Sequence, residues 1–169
     1  MRRDRPGPGA RRPVPTLPVV ALRDLPGVRL TSLPDCRGWP VELEDGSPVG
    51  MVERLLLDLE EHEVRYLDLR LDPRLVSGAP GPSWNALVPI GRVRLSADRD
   101  LVRLPGLTRR CVAQLPDTPP LGVTRAVERA VLGWFGEPAG GAEDAFYHGA
   151  AFRLGAAMAA RRAPAGRDG

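Results

Sequence analysis

Apolar and polar residues alternate with a period of two over Tyr66-Leu67-Asp68-Leu69-Arg70-Leu71, the signature of a half-buried strand. Other short segments carry a related pattern. Pro40–Glu44 runs into Asp45-Gly46, a hairpin signal. Val49–Leu57 follows, with Val49, Met51, Leu55 and Leu57 assigned to one face, and the polar run Leu59–Glu63 turns the chain. After a Pro/Gly/Ser loop over Pro73–Ser83 comes Ala86–Ile90, where Pro89 points to an edge strand or a bulge. Val93 and Leu95 alternate with Arg92 and Arg94, and Leu101–Leu104 closes the series. Short strands with turns about every eight to twelve residues predict a small antiparallel barrel or sandwich. Closure into a barrel would remove the exposed strand edges.

The pattern then changes period. Thr108 is placed to cap a short helix over Arg109–Leu115, which Pro116, Pro119 and Pro120 terminate. Thr124 is placed to cap a second helix ending at Phe135, with Val127, Val131, Leu132 and Phe135 as its apolar side. The fold class expected is therefore mainly β with C-terminal α. Five regions follow: a disordered basic arm (1–16), an extended segment over the barrel (17–38), the barrel (39–116), a helical and extended C-terminal extension (117–160), and a basic tail (161–169).

Composition changes this picture little. The chain has 169 residues, a net charge of +3, and 43% apolar and 27% charged residues, which suits one globular domain with tails. All 24 basic residues are arginine, and they are dense at both ends (Arg2, Arg3, Arg5, Arg11 and Arg12; Arg161, Arg162 and Arg167). Such tails are attracted to anionic lipid headgroups, acidic partners or nucleic acid, or simply remain solvated. Cys36 and Cys111 fit no metal-ligand spacing and read as two reduced thiols. Neither a secretory signal nor a membrane-spanning apolar run is evident.

Catalytic signatures are missing as well. The two histidines, His62 and His148, lie in separate regions, so three or four convergent metal ligands are not visible. Nucleophile elbows, phosphate loops and dinucleotide fingerprints do not occur. Paired RNA-stacking aromatics are absent too, so neither an enzyme nor a nucleic-acid binder is expected. One stretch concentrates charge: Asp58-Leu59-Glu60-Glu61-His62-Glu63-Val64-Arg65, at a strand-to-strand turn. A solvated hairpin tip would look the same. Crowded carboxylates can also exchange protons near neutral pH, with an arginine setting the local potential.

Several motifs resemble the PRC-barrel family in order: Pro34-Asp35-Cys36-Arg37-Gly38-Trp39-Pro40-Val41, Asp45-Gly46, Gly50, Leu57-Asp58, Arg65-Tyr66-Leu67-Asp68, Leu87-Val88-Pro89-Ile90 and Leu104-Pro105-Gly106-Leu107-Thr108. The first of these, the Asp58/Glu61/Arg65-Tyr66-Leu67-Asp68 turn, and the later runs Val127–Phe135 and Phe146-Tyr147-His148-Gly149 look more like the cytoplasmic part of a purple-bacterial-type photosynthetic reaction-centre H subunit. That resemblance implies a non-catalytic subunit at the cytoplasmic face of the photosynthetic membrane. It would cap L- and M-type membrane subunits, stabilise the complex and assist proton delivery to the secondary quinone. Bacteriochlorophyll, quinone and non-haem iron would belong to those partners, with no cofactor or metal held by this chain. Residue by residue, it implies that Glu61 is a proton-pathway glutamate, Arg65 its partner and Asp58 a nearby acid. His62 is a substitute proton-entry group, because the family's upstream histidines have no counterpart here. The family's transmembrane helix has none either, so a separate small transmembrane protein, light-harvesting subunits or an anionic membrane surface are the further partners expected. Arg37 and Trp39 are candidate interface residues, although Trp39 could equally plug the barrel end. The alternative is a stand-alone PRC-barrel adaptor, in ribosome maturation or as a membrane-associated scaffold.

Overall fold

The computed structural model describes residues 18–27, 29–30, 33–76, 84–120, 122–138 and 143–153. The arm 1–16, the tail 161–169 and most of the 73–83 loop lie outside the described residues. Among the described residues seven strands form one curled sheet: β1 (Val19–Ala21), β2 (Pro40–Leu43), β3 (Pro48–Asp58), β4 (Val64–Leu71), β5 (Asn85–Pro89), β6 (Arg94–Ser96) and β7 (Leu101–Leu104). Two short helices follow, α1 (Arg109–Val112) and α2 (Arg125–Trp134), then 3-10 turns at Glu143–His148 and Ala150–Phe152. This is the mainly β class expected, a half-barrel with a C-terminal helix.

The sheet order is β5-β4-β3-β2-β7-β6. Long β3 is its spine. One edge pairs with β4. The opposite edge is shared: β2 pairs with its first half and β1 with Leu56–Asp58 at its end. The 17–38 segment therefore does more than lie over the barrel, since it supplies β1. One pair departs from the antiparallel pattern, because β2 and β7 run parallel.

Three register shifts explain where side-chain alternation slips. Val49, Glu53 and Arg65 each have no opposite residue in their ladders. An extra residue of this kind kinks a strand and re-aims its side chains. The buried face of β3 is consequently Val49, Val52, Leu55 and Leu57, while Met51, expected on that face, is exposed. The hairpin at Asp45-Gly46 forms as expected. Gly46 takes a φ of 82°, the Asp45 carboxylate accepts from the Ser47 N–H at 2.8 Å, and Leu43 N–H donates to the Ser47 carbonyl.

The barrel interior packs Val41, Val52, Leu55, Leu57, Leu67, Leu69, Val88, Ile90, Val102 and Leu104. A second cluster covers the outside of the same sheet. There Leu56, Tyr66 and Leu87 meet Val131 and Leu132 of α2 and Phe146 and Phe152 beyond it. Strand β4 is therefore buried on both faces from Val64 to Leu69, not half-buried as its alternation predicted. Each leucine buried in either layer contributes about 2 kcal/mol. Both predicted caps are present: the Thr108 hydroxyl accepts from the Cys111 N–H and the Thr124 hydroxyl from the Val127 N–H. The first helix is shorter than expected, four residues continued by turns to Leu115.

Candidate functional site

The β3–β4 turn is closed by the Asp58 N–H donating to the Glu63 carbonyl at 2.9 Å. One Asp58 carboxylate oxygen accepts from the Glu60 N–H at 2.9 Å, fixing the first bend. His62 completes the reversal with a φ of 57°, an uncommon conformation for a residue with a side chain. At the start of β4 the unpaired position is Arg65, whose guanidinium turns toward the outer face and is almost wholly buried. Its Nη2 bonds Asp58 at 3.1 Å and Glu61 at 2.9 Å, and its Nη1 bonds Glu63 at 2.8 Å. Its Nε is buried without a hydrogen-bond partner among the described residues.

Thus the structure joins three of the four sequence-predicted proton residues, Asp58, Glu61 and Arg65, and adds Glu63. The fourth, His62, is exposed and makes no hydrogen bond or ion pair among the described residues. Three carboxylates share one guanidinium, so the cluster keeps a net negative charge. Asp58 is buried beside Arg65, whereas Glu61 and Glu63 are half in water.

Sequence reading missed the residues packed behind Arg65. Its guanidinium lies 4.6 Å from the centre of the Tyr147 ring. The Tyr147 hydroxyl donates to Glu128 Oε1 at 2.6 Å, and Arg125 Nη1 donates to Glu128 Oε2 at 2.7 Å. Glu128 is fully buried on the inner side of α2. Burial pushes its carboxyl above the ordinary glutamate range, although the bonds from Tyr147 and Arg125 pull the other way. Burial also raises the Tyr147 hydroxyl, with the Glu128 charge adding to it. The Tyr66 hydroxyl is buried near the same carboxylate and makes no hydrogen bond of ordinary geometry. A signal for Glu128 was present: Val131 and Leu132 lie three and four residues on, which puts the glutamate on the apolar side of the helix.

A cleft of about 520 Å³ opens between the turn and the C-terminal segment, lined by Glu61, Glu63, Arg65, Tyr147, His148 and Arg153 among others. His148, distant in sequence from the turn, is thereby brought to the same cleft. Asp68, part of the family-like motif, plays another part. It is fully buried, and its carboxylate accepts from Arg54 at 2.6 Å, Asn85 at 3.1 Å and Thr118 at 2.7 Å. It ties β3, β4, β5 and the 116–118 segment together.

The two candidate interface residues sit elsewhere. Arg37 is exposed and paired with Asp35. Trp39 is partly buried against the barrel interior, and its carbonyl accepts from Val52 N–H at 3.0 Å. The two cysteines are free, as expected. Among the described residues no group of three or more His, Cys, Asp or Glu side chains is placed to hold a metal ion, and no helix is long and apolar enough to cross a membrane.

Residues 31–107 match the PRC-barrel domain. The matched PRC-barrel spans β2 to β7 and contains the Arg65 cluster. Strand β1, α1, α2 and the Glu128–Tyr147 contact lie outside it. No curated protein matches the chain.

Proposed function

We propose that this chain is a non-catalytic PRC-barrel docking subunit, and specifically that it caps the quinone-bearing membrane subunits of a photosynthetic reaction centre and assists proton delivery to the secondary quinone. The observation that carries the reading is the convergence of Asp58, Glu61 and Glu63 on Arg65 at one hairpin tip. Half-exposed carboxylates around a buried cation form a surface that exchanges protons with water on one side and contacts a partner on the other. Pressing that tip against a membrane subunit would place Glu61 and Glu63 at the boundary between water and the partner. Arginine-rich ends would add attraction to an anionic leaflet, about 1 kcal/mol for each well-placed side chain. The pigments, quinones and iron would be held by the partner subunits.

One observation favours the alternative, a stand-alone PRC-barrel adaptor. Arg65 already binds all three carboxylates, which is the geometry of a structural lock as much as of a relay.

Purification of the tagged chain from native membranes, followed by an absorption spectrum, separates the two. Bacteriochlorophyll bands and co-purifying quinone-binding subunits support the reaction-centre reading. A colourless preparation from pigmented cells leaves the adaptor. In the first case Glu61→Gln is expected to slow proton-coupled reduction of the secondary quinone while assembly survives. An unchanged rate and pH dependence of the second electron transfer would remove Glu61 from the path.

A further inference from the structure

The contact between α2 and residues 146–152 carries an inference that does not depend on which partner the barrel serves. This segment lies over the outer sheet face in two layers of interaction. Phe152 packs edge-on against Tyr66 at 5.3 Å and against Tyr147 at 5.1 Å. The backbone of Ala150 and Ala151 rests on Gly91, where a Cβ would collide with their carbonyl oxygens. Tyr147 then joins two charged groups that belong to different elements, Glu128 of α2 and Arg65 of β4.

We propose that residues 146–152 form a proton-responsive strap, latched by Glu128 through Tyr147, whose docking holds Arg65 in place and whose release uncovers it. Three observations converge on a contact that opens. Docking buries a carboxylate completely, at a site where hydration would favour its charge. It also leaves the Arg65 Nε without a hydrogen-bond partner among the described residues, which water would satisfy after release. Finally, among the described residues the strap is held by aromatic contacts, by Arg125 and Arg65 lying over its rings and by the Tyr147 phenol bond, with no strand pairing to the sheet.

Among the described residues, the groups facing the Glu128 carboxylate are Arg125 on its own helix, Tyr147 on the strap and Tyr66 on β4. Burial outweighs the bonds from these groups, so the docked state binds a proton more tightly than the released one. The sign follows from linkage. Docking is favoured at acidic pH, where Glu128 is neutral in both states. It weakens as pH rises through the docked-state titration.

Hydrogen exchange of the whole chain, read by mass spectrometry at pH 5 and pH 7.5 and corrected for intrinsic rates, tests this. Protection of 146–152 should be greater at pH 5, by about tenfold for each pH unit that separates the docked and released titrations. The β3–β4 amides, as internal reference, should not change. Glu128→Gln should keep the strap protected equally at both values. Tyr147→Phe, which removes the phenol bond while keeping the ring, should lower strap protection at pH 7.5 more than at pH 5. Equal protection of the wild-type strap at both pH values would overturn the proposal. So would a pH dependence that survives in Glu128→Gln. If that variant exposed the barrel amides as well, the Tyr147→Phe comparison would decide. A loss of equal size at both pH values would then reject the latch.

Discussion

The turn around Arg65 and the contact around Glu128 use the same pair of chemical groups in opposite proportions. At the turn one buried guanidinium serves three carboxylates, two of them half in water. In the helix contact one fully buried carboxylate is served by an arginine and a tyrosine. Water decides the difference. Glu61 and Glu63 can rehydrate if a bond breaks, so each matters little to folding. Arg65 and Glu128 are shielded from water while residues 146–152 are docked, so in that state their neighbours must satisfy them. Truncating the group at the centre of a cluster should therefore cost more stability than truncating one at its rim.

Breaking the centre of the turn should give the largest effect. Arg65→Ala strands buried Asp58 and removes the cation from Tyr147, with an expected loss of about 3 kcal/mol in urea unfolding. Gly91→Ala comes next, because the added methyl must displace the backbone at Ala150 and Ala151. A loss of about 2 kcal/mol is expected, with strap exchange accelerated. Glu128→Gln keeps the shape and removes the charge, so its cost near neutral pH is small, about 1 kcal/mol or less. Its clearer signature is pH. The wild-type contribution is fully present below the unfolded-state pKa of Glu128 and is lost as pH rises through the raised folded-state value, and the variant should lack that slope. At the rim, Glu61→Gln should alter unfolding by no more than about 0.5 kcal/mol. A loss as large as that of Arg65→Ala would mean that rim and centre are not distinct.

The two cysteines offer a comparison with no expected effect on stability. Cys36 is wholly buried and its thiol is pushed up to about 12 by burial, whereas Cys111 is partly exposed and its thiol is lowered by bonds with Thr108. A thiol reagent at pH 8 should modify Cys111 alone in the folded chain and both residues in denaturant. Early modification of Cys36 would indicate that the segment leading into β2 opens readily.

The strands were legible because most of them alternate, and the turns because Asp45-Gly46 and the prolines punctuate them. The alternation failed where β3 and β4 carry extra residues. A bulge at Glu53 moved Met51 outward, and nothing local announces a bulge. The burial of the second face of β4 was hidden for another reason: its cover comes from residues some eighty positions later. The charged turn was visible because its members are contiguous. The Glu128–Tyr147–Arg65 chain was not, because three elements contribute one residue each and a glutamate on a helix is ordinarily a solvent-facing residue. His148 reached the cleft by the same long-range route, whereas His62, inside the visible motif, is exposed at the turn. Spacing finds local clusters, and only the fold assembles distant ones.

The parallel ladder between β2 and β7 has a consequence for how the chain reaches this state during synthesis. Hairpins such as β2–β3 and β3–β4 join neighbours and can form as soon as both strands are available. Residues 41–43, however, must wait for residues 102–104 before their second edge is covered. Until then β2 offers bare backbone beside apolar Val41 and Leu43, a template for pairing with another nascent chain. Closure of the sheet is a late, non-local event, and the rate at which the ribosome delivers β7 sets how long that edge stays open.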